Sequence, residues 1–256
     1  IGSGAGLPMF MGIEGETLAG VYSANEYLTR INLMKAYREG YDTPLKISGS
    51  AAIIGGGNVA MDAARCAMRL GAEHVYIVYR RGEAEMPARL EEQHHAKEEG
   101  IEFMTLTNPV EILGGEDGRV NGMKCIKMEL GEPDASGRRK PIPVEGKTET
   151  LAIDTMILAI GQAVDASIFD CDKTRKNAIA YDPETFMTSM PGVFAGGDCS
   201  SGPASVIKAI AAAKVVAANI DEYLGYHHEI TSGVEIPEAS LKDKTPCGRV
   251  NLTERD

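Results

Sequence analysis

The chain has 256 residues, enough for one large domain or two small ones. Its hydrophobic content of 43% and charged content of 25% are typical of a soluble globular protein. The formal net charge of −11 argues against nucleic acid and anionic membranes as partners. No apolar run approaches the roughly 20 residues that a membrane-spanning helix needs, so we expect no membrane span.

The cysteines are scattered, and no two of them form a C-x-x-C pair. This spacing predicts neither a disulfide framework nor a metal or iron–sulfur site within the chain, and it favours a reducing, cytoplasmic location. No signal-peptide pattern opens the sequence, which starts at Ile1 and continues directly into glycines. We therefore expect an internal fragment of a longer protein.

The first eight residues contain a G-x-G pair, Gly2 and Gly4, that resembles part of a nucleotide fingerprint. No strand is visible before it, and Pro8 interrupts the helix that should follow. We interpret this segment as the end of a strand that turns into a loop.

A capping box opens the first predicted helix, with Ser23 at the N-cap and Glu26 three residues later. Apolar residues follow at helical spacing, and the pattern predicts a helix that ends near Gly40.

A glycine turn between a short apolar strand and an alanine-rich helix is the most informative stretch. The strand covers residues 51–54, and the helix extends to Leu70. Between them lies G-x-G-x-x-A, in which the first glycine permits a tight turn, the second lets the backbone approach a pyrophosphate, and the alanine lets the helix pack close to the strand. The N–H groups of the first helical turn favour phosphate. The residues expected to bind the pyrophosphate are Gly55, Gly57, Asn58, Val59 and Ala60. The alternative is a glycine-rich turn without a ligand.

A second apolar strand, His74–Tyr79, is followed by Arg80 and Arg81. An acidic residue at this position would bind the adenosine ribose of NAD, whereas forked guanidinium donors suit a phosphate. The pair therefore favours NADPH, with its 2′-phosphate, over NADH. Arg89 is a weaker candidate for the same phosphate, and a solvated basic turn is the alternative.

Residues 88–99 predict a charged surface helix that carries His94 and His95. Neighbouring residues lie about 100° apart around a helix axis, so these two histidines cannot readily chelate one ion. We expect no metal site here.

From Ile101 onward, the spacing of the apolar residues becomes typical of β-strands. We predict an antiparallel β-meander and, after it, a long polar loop over residues 131–146. The three strands predicted for the meander are Ile101–Leu106, Val110–Leu113 and Val120–Leu130.

Residues 155–160 form a continuous apolar run, which is typical of a buried parallel strand. Gly161 and Gln162 follow at its carboxyl end, where ligands bind in open α/β sheets. Residues 190–198 then repeat the order of apolar strand, glycines and acid, and a helix to about Leu224 follows them. Residues 226–256 are interpreted as a tail or linker.

These motifs together resemble a known family. The segment Gly192–Asp198 and the helix after it look like the second flavin motif of flavoproteins with two dinucleotide-binding domains. Combined with Gly55–Asp62, Tyr79–Arg81 and Met86–Arg89, they resemble the small subunit of glutamate synthase and its relatives over about residues 1–225.

The resemblance implies an α/β fold: a Rossmann-like NAD(P)H-binding domain with an antiparallel β-meander, inserted in a partial FAD-binding domain. The implied domains are residues 1–15 as a remnant of the FAD domain and crossover, 16–162 for NAD(P)H, 163–225 as the C-terminal part of the FAD domain, and 226–256 as the tail. The residues implied to contact the flavin are Gly197, Asp198, Ala204, Ser205 and Val206. The N-terminal FAD fingerprint of the family is absent, so we expect the purified chain to carry little flavin.

The implied activity is transfer of a hydride from NADPH to FAD, with electrons passed on to iron–sulfur centres or a partner subunit. The cofactors carry this chemistry and the protein positions them, so no catalytic side chain is assigned. Four alternatives stay open: an NADH-specific relative, a disulfide reductase of the same broad fold, a non-catalytic NADP(H)-binding module, and a soluble α/β domain whose motifs are coincidental. The absence of a C-x-x-C pair counts against the disulfide reductase. The electron acceptor is not determined by the sequence.

Overall fold

The computed structural model describes residues 1–45, 49–133 and 137–230. Its helices and strands, in chain order, are β1 (Leu7–Pro8), β2 (Val21–Ser23), α1 (Ala24–Asn32), β3 (Ser50–Ile54), α2 (Asn58–Arg69), β4 (His74–Tyr79), α3 (Leu90–Glu98), β5 (Glu102–Thr105), β6 (Thr107–Gly114), β7 (Val120–Pro133), β8 (Arg139–Leu151), β9 (Thr155–Leu158), β10 (Gln162–Ala163), α4 (Asp198–Ser201) and α5 (Val206–Leu224). Within the described residues, no helix is both long and apolar enough to cross a membrane.

A five-stranded parallel sheet forms the centre of the molecule, with the order β2-β9-β3-β4-β5. Successive side chains of a strand point to opposite faces, so both faces of this apolar sheet must be covered. Ala51 and Ile53 of β3 pack in one core with α1, α2 and α3. Ala52 and Ile54 pack in a second core with residues of β6 and β7. Both predicted buried strands are present, as Ser50–Ile54 and as Thr155–Leu158, and the second ends two residues earlier than predicted.

The second face is covered by a three-stranded antiparallel meander, β6-β7-β8. Two predictions about this region were wrong. Residues 101–106 do not join the meander, because β5 pairs in parallel with β4. The predicted loop at 131–146 instead contains the end of β7 and the first half of β8, with Leu130 opposite Pro141. An exposed edge strand tolerates proline and polar residues, which is why its sequence looks like a loop.

The first helix is shorter than predicted. Ser23 caps it as expected, since its Oγ accepts a hydrogen bond of 3.2 Å from the backbone N–H of Glu26. The carboxylate of Glu26 pairs with Arg30 at 2.7 Å. The helix ends at Asn32 rather than near Gly40, and Lys35 adopts a left-handed backbone with φ of 55°. The apolar spacing that predicted this helix therefore extends past the residue at which the helix ends.

A third apolar core joins the start of the chain to residues 164–199. Ile1 lies beside residues 194–196, where its carbonyl accepts a hydrogen bond of 3.1 Å from Gly196. The strand predicted within 190–198 does not form; this segment contains a turn at residues 191–192 and an isolated bridge from Phe194 to Met187. The predicted helix to Leu224 is confirmed as α5, and Ser205 caps it. Most of the predicted tail, from residue 231 onward, lies outside the described residues.

Candidate cofactor-binding site

The carboxyl ends of four neighbouring parallel strands meet at one edge of the central sheet. In spatial order, β2 leads into Ala24 and Asn25, β9 into Gly161, β3 into Gly55, and β4 into Arg80. Ligands of open α/β sheets bind at this edge. The sheet order therefore places the glycine turn between the basic turn on one side and Gly161 on the other.

The glycine turn leaves open space at the start of α2. Gly55 has a φ of 144°, and a Cβ there would lie 2.3 Å from the backbone oxygen of Ala159. A Cβ on Gly57 would have Pro87 as its nearest neighbour, 4.0 Å away. Gly57 is also the N-cap of α2 and offers no side-chain acceptor to the helix, so the first-turn N–H groups can bind phosphate.

The other residues of the predicted fingerprint also suit a phosphate-binding turn. Ala60 is fully buried in the core between α2 and the sheet. Val59 is 44% exposed on the first turn. The side-chain oxygen of Asn58 accepts a hydrogen bond of 2.9 Å from the backbone of Arg89, which brings Arg89 beside the helix N-terminus. The backbone of Ala88 also donates to Gly56 at 3.1 Å. The segment 86–89 therefore borders the glycine turn.

The two arginines after β4 lie in different surroundings, which the sequence did not distinguish. Arg80 is exposed, as is Arg89. Arg81 is only 8% exposed, and its Nε donates to the backbone oxygen of Arg139 at 2.8 Å. Arg139 begins β8 and also binds the buried carboxylate of Glu85 at 2.8 Å. Neither Glu85 nor Arg139 was predicted from the sequence, because Arg139 lies in a stretch whose composition is typical of a loop.

Gly161 and Gln162 lie where the chain leaves β9. Gly161 has a φ of 118° and its carbonyl accepts a hydrogen bond of 3.3 Å from Met9. The side-chain amide of Gln162 donates to the side-chain oxygen of Asn25. Asn25 was not predicted, although its position directly after a strand at the same sheet edge was the available signal.

A cavity of about 480 Å³ lies along α5, from the residues just before its N-terminus to Ile220. The predicted flavin residues line it together with the G-x-G pair at Gly2 and Gly4, which was predicted to be the end of a strand that turns into a loop. The lining includes Ile1, Gly2, Gly4, Gly197, Asp198, Ala204, Ser205 and Val206.

The residues around this cavity fit a dinucleotide. A Cβ on Gly2 or Gly4 would meet nothing within 4 Å, so the backbone there is open to a ligand. A Cβ on Gly196 would lie 3.1 Å from Val216 of α5, so the lack of a side chain at Gly196 lets α5 pack closely against this backbone. Asp198 accepts a hydrogen bond of 3.1 Å from the backbone of Ala204, and this bond holds the residues just before α5 in place.

The described cysteines are all free thiols. Burial raises the pKa of Cys125 to about 12, and burial also raises the pKa of Cys66 above its ordinary value. A thiolate is the reactive form of cysteine, so neither residue is suited to thiol exchange near neutral pH.

Comparison with known proteins agrees with this geometry. A family model described as pyridine nucleotide-disulphide oxidoreductase matches residues 1–213. The chain is 47% identical over 175 residues to the NADP(+)-dependent formate dehydrogenase subunit beta of Moorella thermoacetica, with 68% of this chain and 25% of that protein covered. It is 38% identical over 212 residues to the NADPH-Fe(3+) oxidoreductase subunit beta of Geobacter sulfurreducens, with 73% and 32% covered. It is 34% identical over 238 residues to the glutamate synthase [NADPH] small chain of Escherichia coli, with 88% and 50% covered.

Solved structures show the same fold at low sequence identity. FprA from Mycobacterium tuberculosis in complex with NADPH matches with a TM-score of 0.73 and 19% identity, with 88% of this chain and 63% of that chain covered. Thioredoxin reductase from T. acidophilum matches with a TM-score of 0.62 and 20% identity, with 87% and 64% covered.

The chain spans between a quarter and half of the length of these curated relatives. The predicted fold class and the resemblance to the small subunit of glutamate synthase are both confirmed. On the match over residues 1–213, the chain belongs to the pyridine nucleotide-disulphide oxidoreductase family.

Proposed function

We propose that this chain is the NADPH-binding region, with part of the FAD-binding region, of a flavoprotein oxidoreductase. The whole enzyme passes a hydride from NADPH to FAD and electrons onward to iron–sulfur centres or a partner subunit. The observation that carries the proposal is the order of groups along one sheet edge: basic turn, glycine turn, then Gly161 and Gln162. The relatives support the proposal, because the name of each one contains NADP(+) or NADPH and describes a subunit or small chain.

The order of these groups supports one direction for NADPH along the sheet edge. Its 2′-phosphate is bound at the basic turn by Arg80, Arg81 and Arg89, because guanidinium groups donate paired hydrogen bonds to phosphate. Its pyrophosphate lies at the N-terminus of α2, against the backbone of Gly57. Its nicotinamide lies toward Gly161 and Gln162, and Asn25 holds the amide of Gln162 in place.

The cavity beside α5 is proposed to hold part of FAD, which supplies a hydride acceptor when it is bound. Asp198 binds a hydroxyl of the ribityl chain, since a carboxylate is a strong acceptor for such donors. Gly197, Ala204, Ser205 and Val206 line the flavin, and the N-terminus of α5 favours negative charge there. None of these side chains donates or accepts the transferred hydride; they position the cofactors.

The domain boundaries follow from the same proposal. Residues 1–15 and 163–225 form the FAD-binding part, and residues 16–162 form the inserted NADPH domain. The separation of the third apolar core from the other two supports this division. The free cysteines among the described residues support a reducing, cytoplasmic location.

Simultaneous replacement of Arg80 and Arg81 by alanine tests the preference for NADPH. We expect the affinity for NADPH to fall at least about 10-fold while that for NADH changes less than about 3-fold, because only NADPH carries the 2′-phosphate. Titration of the purified chain with each nucleotide measures both constants. Replacement of the exposed Arg38, which lies outside the site, is the control. Equal losses for the two nucleotides would contradict the proposed phosphate site.

A further inference from the structure

Hydrogen bonds link the basic turn to β8 directly, at Arg139, and to β7 through Leu106. The Nε of Arg81 donates to the backbone oxygen of Arg139 at 2.8 Å. The backbone oxygen of Arg81 accepts from Leu106 at 3.0 Å, and the oxygen of Leu106 accepts in turn from Met128 of β7 at 2.8 Å. The side chain of Arg81 is therefore held directly by the start of β8. Its main chain is held by Leu106, which lies between β5 and β6 and is itself bound to β7.

Glu85 is a buried carboxylate within this contact. Its side chain is 8% exposed, and its Oε1 accepts from the Arg139 guanidinium at 2.8 Å and 2.7 Å. Its Oε2 is buried without a hydrogen-bond partner among the described residues and lies beside Gly82, where a Cβ would approach it to 2.8 Å. A buried carboxylate is costly unless a cation compensates it, and Arg139 is the cation paired with it here.

The same contact extends to the glycine turn. The hydroxyl of Tyr79 donates to the backbone oxygen of Glu85 at 2.9 Å. The ring of Tyr79 lies against Gly56, where a Cβ would come within 2.9 Å of it. A continuous set of contacts thus joins the start of β8, the basic turn and the pyrophosphate loop.

We infer that Arg139 is a positioning residue for recognition of 2′-phosphorylated adenine nucleotides. Its backbone oxygen orients the guanidinium of Arg81, and its side chain holds Glu85 and hence the segment between the basic turn and Arg89. This inference rests on the proposed function, because it assumes that the 2′-phosphate lies at the basic turn. Loss of the Arg139 side chain releases that segment without removing any group proposed to contact the nucleotide.

The test compares two adenosine ligands that differ only at the 2′ position, adenosine 2′,5′-bisphosphate and 5′-AMP, by calorimetric titration of the 256-residue chain. For Arg139→Ala we expect the bisphosphate to bind at least about 5-fold more weakly while 5′-AMP changes less than about 2-fold. Arg139→Lys should recover part of the loss, because its ammonium still pairs with Glu85. Lys140→Ala, the neighbouring exposed residue of β8, is the matched control and should change neither constant.

An equal loss for both ligands, or no loss, in Arg139→Ala overturns the inference, since a purely structural role would not depend on the 2′-phosphate. Thermal unfolding shows whether the variant is folded. If it is not folded, the double variant Glu85→Gln with Arg139→Gln is used instead, because it removes the buried charge together with its partner. The inference is then decided by whether the double variant loses affinity for the bisphosphate but not for 5′-AMP. If the wild-type chain binds both ligands equally, the proposed function itself is contradicted. This result is distinguishable from failure of the Arg139 inference, because it is seen without any variant.

Discussion

The two fingerprint glycines of the nucleotide turn have opposite surroundings, although a sequence pattern treats them alike. Gly55 has a positive φ and is pressed against the backbone of Ala159. Gly57 has an ordinary φ of −93°, and a Cβ there would be 4.0 Å from its nearest neighbour. The fold therefore requires the first glycine but not the second, which we propose is needed for the approach of the pyrophosphate.

These surroundings predict opposite effects for two small substitutions. Gly55→Ala should destabilise the chain by about 3 kcal/mol, because the added methyl meets a backbone oxygen and the residue must keep a strained φ. Gly57→Ala should cost less than about 1 kcal/mol in stability yet weaken NADPH binding about 10-fold, because the methyl occupies the space used by the pyrophosphate. Denaturant unfolding and NADPH titration measure the two effects. A Gly57→Ala chain with unchanged affinity would count against the pyrophosphate site.

At the scale of elements, α2 and α3 are joined by a group of ion pairs behind the glycine turn. Glu99 accepts from Arg65 at 2.9 Å and from Arg69 at 2.6 Å, and Arg65 also pairs with Glu92 at 3.1 Å. Desolvation alone would raise the pKa of Glu99, but the hydrogen bonds from Arg69 and Arg65 outweigh it and hold that pKa below its ordinary value. The pair-wise energy is small because these side chains are partly exposed and screened by water.

Glu99→Gln should therefore destabilise the chain by about 1 kcal/mol at neutral pH and low salt. A lowered pKa means that the folded state favours the carboxylate, so this stabilisation is present above the pKa of the unfolded chain. It is lost as the pH falls through the lower folded value. Unfolding free energies measured from pH 7 to pH 3 should show the difference between variant and wild type shrinking with acid. Glu98→Gln, one residue earlier on the same helix, is the control, and an acid-independent difference would contradict the ion-pair explanation.

The elements also show where periodicity succeeds. The glycine turn, its strand and its helix lie where the sequence predicts them, since local apolar spacing and the glycines that limit it are enough to define a buried strand followed by a helix. The strand at 102–105 and the start of β8 were assigned to the wrong structures. A short strand does not encode its pairing partner, and an exposed edge strand lacks the apolar alternation that would reveal it.

At the scale of the whole molecule, the apolar cores divide the chain into two parts. Two cores flank the parallel sheet and lie almost entirely within residues 16–162. The third combines Ile1 and Ala5 with residues 164–199. This arrangement is consistent with a nucleotide domain inserted between two separated pieces of another domain.

A chain of residues 16–162 alone should therefore unfold cooperatively and bind NADPH within about 3-fold of the 256-residue chain, because a domain with its own cores folds independently. Residues 163–225 alone should not fold, since they lack the contributions of Ile1 and Ala5 to their core. Circular dichroism during thermal unfolding and NADPH titration test both expectations. An unfolded 16–162 chain would show that the proposed boundaries are wrong.

The sequence by itself predicted the glycine turn, the basic turn, the residues proposed to contact the flavin, and the family, because each depends on residues that are close together along the chain. Only the tertiary structure showed that Arg81 is held by Arg139, that Gln162 is held by Asn25, and that Gly2 and Gly4 line the cavity with Asp198. Each of these relations joins residues far apart in sequence. Such contacts depend on which strands become neighbours, and local patterns of polarity and spacing do not specify that.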